Sequence, residues 1–274
     1  MPNFDYDTLA PHGFSLAGRT ALITGGAGHL GTALSEGLAA AGARVQLVGR
    51  NRDKLSAVVE AIRARGQDAD YSVLDLTDIE AVQAFTADYL SQKQPLDILV
   101  NNAYAGPTGT LEAAAPEDYT NAYHIAVTVS AELVRGLLPA FRRAVKTQGD
   151  ASVINIASMY GHTSPDPAIY GDSGQNSPPY YAAAKGALIQ YTRYAAVHLA
   201  PDRIRVNAIS PGPFPPLRFR DEKPDFYQQL VSKVPLQRIG TPADMIGPLV
   251  FLASPSAQYV TGTNLCVDGG WTAW

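Results

Sequence analysis

From Arg19 to Val206 the chain alternates short, β-branched apolar runs with longer stretches of helical periodicity. That alternation marks repeated strand–helix–strand units, because a strand covered by helices on both faces reads as a nearly continuous apolar run. The runs predict strands at Thr20 to Thr24, Arg44 to Val48, Asp70 to Leu74, Ile98 to Asn101, Ser152 to Ile156, Ile204 to Ile209 and Asn264 to Val267. Helical spacing predicts helices at Leu30 to Ala41, Asp53 to Arg65, Ile79 to Gln92, Pro116 to Arg143, Pro179 to Leu199 and Pro242 to Ala253. Right-handed crossovers then give a doubly wound, Rossmann-like α/β fold: a parallel seven-stranded sheet with helices on both faces and ligands beyond the strands' carboxyl ends.

A chain of 274 residues suits one such domain over residues 1–274, with residues 1–15 as an N-terminal extension. Two stretches break the rhythm. Residues 161–179 carry Pro165, Pro167, Pro178 and Pro179, and residues 211–226 carry five prolines between Pro211 and Pro224. Both follow predicted strands, which makes them substrate-side loops at the ligand edge, and the first reads as a polar lid.

Composition narrows the class. With 46% hydrophobic and 17% charged residues the chain is globular. A net charge of −4 and the absence of a basic block argue against nucleic acid as a partner. The apolar runs fall short of the roughly 20 residues that cross a bilayer. The segment Met1 to Gly13, with Asp5, Asp7 and Pro11, lacks a signal-peptide pattern. The five histidines show no metal-ligand spacing. The single cysteine, Cys266, lies in an apolar run and reads as a small core residue that cannot form an intramolecular disulfide. A cytoplasmic protein acting on a small molecule, without metal, membrane or nucleic acid, is expected.

The first strand leads into Thr24-Gly25-Gly26-Ala27-Gly28-His29-Leu30-Gly31 and then a helix. Glycines at such a turn let backbone N–H groups approach a pyrophosphate at the positive end of the helix dipole, so Gly25, Gly28, His29, Leu30 and Gly31 are dinucleotide-binding candidates. His29 either faces a phosphate or is a solvent-facing turn residue. The second strand ends Val48-Gly49-Arg50, with glycine where an acidic residue would hold a ribose 2′-hydroxyl. Arg50 can instead fork onto a 2′-phosphate, which favours NADP(H), with NAD(H) as the alternative.

In Tyr181-Ala182-Ala183-Ala184-Lys185 a phenol and an ammonium share one helical face. A nearby cation favours the phenolate and makes tyrosine a usable general base or acid. Spacing alone is weak support, since Tyr89 and Lys93 repeat it; that pair ends a crossover helix away from the ligand edge and reads as a packed tyrosine with a solvated lysine.

Together these motifs resemble the short-chain dehydrogenase/reductase family over nearly the whole chain. The resemblance implies that Ser158, Tyr181 and Lys185 are catalytic, with Lys185 also holding the nicotinamide ribose. It implies adenine contacts for Asp75 and Leu76, although Asp75 equally suits a helix cap. Asn102 and Ala103 would contact the ribose, and Pro211 and Gly212 would lie beside the nicotinamide. The family's usual assembly is a homotetramer, a dimer being the other homo-oligomer considered; Trp271 and Trp274 suit either an interface or packing within one subunit.

The departures are His29 for a glycine, Tyr104 where the family usually has glycine, and Ala126 where it has an asparagine. Asn121 and His124 lie near Ala126 but on other helical faces unless a bulge shifts the phase. Ser158 precedes Tyr181 by 23 residues, a longer gap than the family's usual one. The polar insert tilts the substrate towards a polyol, sugar or sugar acid, with a secondary alcohol or ketone as the reacting group. A non-catalytic NAD(P)-binding sensor or structural subunit is the alternative. A hydrolase is disfavoured, because Gly171-Asp172-Ser173-Gly174 has no histidine and aspartate placed to serve it.

Overall fold

The seven apolar runs pair into one parallel sheet in the computed structural model, which describes residues 13–173 and 175–274. The strands are β1 (Thr20–Thr24), β2 (Arg44–Gly49), β3 (Ala69–Val73), β4 (Ile98–Asn101), β5 (Ala151–Ile156), β6 (Ile204–Pro211) and β7 (Asn264–Val267), in the order β3-β2-β1-β4-β5-β6-β7. Every neighbouring pair is parallel. The chain runs outward from β1 to β3 and then returns to β4. The reversal between β1 and β4 opens a crevice at the carboxyl ends of the strands.

The helices are α1 (His29–Ala40), α2 (Arg52–Ala64), α3 (Ile79–Ser91), α4 (Pro116–Tyr123), α5 (Val129–Gln148), α6 (Pro179–Leu199), α7 (Phe219–Glu222), α8 (Pro224–Lys233) and α9 (Ile246–Ala253). The pleat sends alternate strand residues to opposite faces, so Ile23 joins Leu34, Ile62 and Leu249 on one side while Leu22 joins Val82, Leu137 and Phe141 on the other. Both layers are fully buried. By length and hydropathy the stretch Pro116–Gln148 passes as a membrane-crossing helix, yet its Leu133, Leu137 and Phe141 are packed into the second layer.

Several boundaries differ from the sequence reading. β3 starts and ends one residue early. The long helix expected over Pro116 to Arg143 is interrupted by a π-helical turn, His124–Thr128, and continues to Gln148, where Gly149 at φ 87° ends it. Pro242–Met245 is a 3₁₀ turn ahead of α9. The stretch expected to be loop after β6 holds α7 and runs into α8. Cys266 is exposed, which corrects its reading as a core residue: β7 is an edge strand, and its Sγ lies 3.5 Å from His162 Nε2. Residues 1–12 of the N-terminal extension lie outside the described residues.

Candidate active site

The glycine-rich turn is built for close backbone approach. Gly25 takes φ +63°, and a side chain on Gly31 would collide with the Gly25 carbonyl. Gly28 caps α1, whose first turn carries no acidic residue, leaving the N–H groups there open to an anion. Asn102 Nδ2 donates to the carbonyls of Thr24 and Gly25 at 3.0 and 3.1 Å, tying this turn to the end of β4. His29 fits neither alternative for it in full. Its Nε2–H donates to the Phe214 carbonyl at 2.9 Å, so it joins the glycine turn to the proline-rich segment after β6.

All the site residues singled out from the sequence line one cavity of about 860 Å³. At one end are Arg50, Asp75 and Leu76. Asp75 accepts from Thr77 N–H and Oγ1–H at 3.0 and 2.8 Å, and these bonds hold its carboxyl below the usual range. The helix-cap role goes instead to Asp78, which accepts from the N–H groups of Glu80 and Ala81. Pro211 and Gly212 form the wall beyond β6, where Gly212 N–H bonds to Val267 O at 2.9 Å.

The other end holds Ser158, Tyr181 and Lys185. Ser158 follows β5, and its Oγ accepts from Tyr160 N–H at 3.1 Å. Pro179 opens α6, placing Tyr181 and Lys185 one turn apart above the sheet edge. Lys185 Nζ donates to Ile156 O at 2.6 Å, and burial lowers the ammonium to about 7. Burial pushes the Tyr181 phenol up, and a hydrogen bond with Ser158 opposes it. The expected depression of Tyr181 by Lys185 is not what sets this phenol: Nζ is turned to the β5 carbonyl and stands 5.8 Å from the Tyr181 ring centroid.

Two of the three departures from the family pattern, Tyr104 and Ala126, fall beside this end. The Tyr104 ring meets Tyr181 edge-on, centroids 4.9 Å apart, and lies 5.0 Å from Lys185 Nζ. Ala126 is buried with Ala122, Val127 and Leu188, and its carbonyl accepts from Ser130 Oγ at 2.8 Å. The π turn does bring Asn121 and His124 to the cavity wall, but His124 Nε2–H donates to Thr77 O at 3.0 Å, and neither side chain bonds to Lys185.

The insert between Ser158 and Tyr181 packs on α8 and reaches the Tyr181 end of the cavity through Tyr170. Its 3₁₀ segment, Pro167–Ser173, buries Ile169 against Leu230 of α8 and sets the Tyr170 ring at a tilt to Phe226, centroids 5.5 Å apart, and Asp166 just before it pairs with Lys233 at 2.8 Å. On its other flank Thr108 bonds to Gln175, and Gly109 N–H to Asn176 O at 3.2 Å. The Tyr170 phenol hydrogen-bonds to Tyr160, beside Tyr181. Sequence reasoning missed the placement of Tyr160, Tyr170 and Phe214; the aromatics flanking Ser158 and inside the proline-braced insert were the available signal. Tyr89, the decoy, is packed, and its hydroxyl donates to Pro95 O at 3.0 Å.

Residues 25–272 match the family described as Enoyl-(Acyl carrier protein) reductase. Galactitol 2-dehydrogenase (L-tagatose-forming) of Cereibacter sphaeroides is 34% identical over 98% of this chain and 100% of its own length. A gluconate 5-dehydrogenase from Burkholderia cenocepacia, solved with NADP and tartrate, superposes with a TM-score of 0.83 at 29% identity, covering 96% of this chain and 98% of its own. The RhlG/NADP complex from Pseudomonas aeruginosa gives a TM-score of 0.85 at 31% identity over 94% of this chain and 98% of its own. The chain belongs to the short-chain dehydrogenase/reductase family. It is an NAD(P)-dependent alcohol oxidoreductase.

Proposed function

We propose that the protein interconverts a secondary alcohol and its ketone with NADP(H), on a polyol, sugar or sugar acid. One observation carries this reading: the glycine cradle and Arg50 stand at one end of a single cavity, and Ser158, Tyr181 and Lys185 converge at the other. When bound, the cofactor supplies or accepts the hydride. In the oxidising direction the Ser158 hydroxyl binds the substrate oxygen, the Tyr181 phenolate takes the hydroxyl proton, and the carbinol carbon becomes a carbonyl. In reduction the same proton returns to the oxygen from the Tyr181 phenol. Lys185 holds the ribose hydroxyls and keeps a positive charge near Tyr181.

Arg50 without an acidic neighbour at Gly49 supports a 2′-phosphate, and the solved relatives that carry NADP point the same way. The folded polar insert supports a hydroxyl-rich substrate, as do the named substrates of the galactitol and gluconate dehydrogenases. The test is a turnover panel of polyols, sugar acids and ketones with NADP(H). Activity on a polyhydroxylated member is expected. Tight NADP(H) binding with no turnover across the panel would replace this reading with a binding subunit.

A further inference from the structure

The Lys185 ammonium is buried with one hydrogen-bond acceptor, Ile156 O, for its three N–H groups. Position 126 makes no bond to it: its methyl lies in an apolar cluster, and its carbonyl accepts from Ser130. Among the described residues two aromatic rings flank the ammonium, Tyr181 at 5.8 Å from Nζ to the centroid and, closer, Tyr104. Tyr104 stands 5.0 Å from Nζ by its centroid and 4.9 Å from the Tyr181 ring at an interplanar angle of 68°. One residue thus touches both members of the pair that handles the proton.

We propose that Tyr104 is a positioning residue of this reaction: its ring stabilises the Lys185 ammonium by a cation–π contact and holds the Tyr181 phenol edge-on. This rests on the catalytic reading above. The electron-rich face offers a desolvated cation what the missing acceptors do not, and such contacts strengthen away from water. The edge-to-face pairing restricts the Tyr181 ring to the orientation that keeps its oxygen near Ser158. The ring and not the hydroxyl makes these contacts, for the hydroxyl lies towards Gly106. Burial pushes the Tyr104 phenol upward, so it stays neutral while its neighbours titrate.

The titratable groups around the pair are Tyr104 after β4, Tyr160 after β5 and Tyr170 of the insert, with Asp166 engaged by Lys233. Losing the ring therefore lowers the Lys185 pKa further, and it frees the Tyr181 ring from the orientation that keeps its oxygen on Ser158, whose hydrogen bond holds that phenol down, so the two groups move in opposite directions.

Two variants of the full chain, Tyr104→Leu and Tyr104→Phe, decide the matter with two measurements. The first is the pH profile of alcohol oxidation. In Tyr104→Leu its rising limb should move up by about one pH unit, a roughly tenfold loss of rate below the limb that recovers at higher pH. Tyr104→Phe should follow the wild type. The second is acetic anhydride labelling of Lys185 in cofactor-free protein, followed by peptide mass spectrometry. Its onset should fall to lower pH in the leucine variant and stay in place in the phenylalanine variant. An unchanged limb and onset in Tyr104→Leu, or a phenylalanine variant as impaired as the leucine one, would overturn the proposal. Should Tyr104→Leu fail to fold, Tyr104→Met takes its place. A wild type without turnover defeats the catalytic reading alone, and the labelling still decides the Tyr104–Lys185 contact.

Discussion

Two clusters of buried charge sit at opposite ends of the same sheet. At the amino ends of β1, β5 and β6, Arg19 and Arg205 share the Asp150 carboxylate at 2.7 and 3.0 Å, and Arg205 also donates to the carbonyls of Leu252 and Ser254. At the carboxyl ends, Lys185 is as deeply buried and has one backbone carbonyl and two aromatic rings. The first cluster meets each charge with its opposite and fixes strand ends. The second leaves a cation without a counter-ion, and burial brings its titration down to about 7. Depth of burial is therefore not what separates framework from site here. The separation lies in whether the fold supplies the compensating charge or leaves that to a ligand.

Among variants that keep Tyr181, the largest effect should come from the framework end. Asp150→Ala strands two buried guanidinium groups and should cost about 3–5 kcal/mol in urea unfolding, while turnover per folded molecule stays near wild type. A stable variant with lost turnover would erase the distinction between the two ends. Replacing residues 166–176 by a short Gly-Ser link should raise substrate KM about tenfold and leave the NADP(H) Kd unchanged, because the insert stands at the Tyr181 end of the cavity and not at the glycine cradle. Equal loss of both would remove its role as a lid. Arg50→Ala should cut the preference for NADP(H) over NAD(H) by about tenfold, the worth of one charge-assisted hydrogen bond.

The smallest and most diagnostic effect concerns pH. Lys185 titrates near 7 when folded and near 10.5 as a free side chain, so over that interval the unfolded chain binds a proton that the folded one does not. Its contribution to stability is therefore lowest below about 7 and rises with pH up to 10.5. In paired urea titrations of cofactor-free protein, the wild type should gain on Lys185→Met between pH 7 and pH 9. No gain by the wild type relative to Lys185→Met over that interval means that Lys185 keeps its charge in the fold.

Much of this was legible in the chain. Strands buried on both faces announce themselves as apolar runs, and the Gly25–Gly31 turn and the Tyr181/Lys185 spacing each express a local backbone requirement. What escaped depends on tertiary neighbours. β3 is an edge strand, exposed or half-buried beyond Ala69, which blurs its ends. α8 is a short amphipathic helix opening on Pro224 within a stretch that reads as loop. The His29–Phe214 bond joins residues 185 positions apart, and the Tyr104 ring finds Lys185 only through the meeting of β4 and α6. Cys266 reads as core because nothing in its local sequence tells an edge strand from a central one.

Tyr181→Phe isolates the proposed proton chemistry by removing one oxygen from a buried ring. Its kcat on a substrate of the wild type, measured beside its NADP(H) Kd, should fall by about a thousandfold with the Kd unchanged. Turnover within a few fold of the wild type would move the proton chemistry to another group.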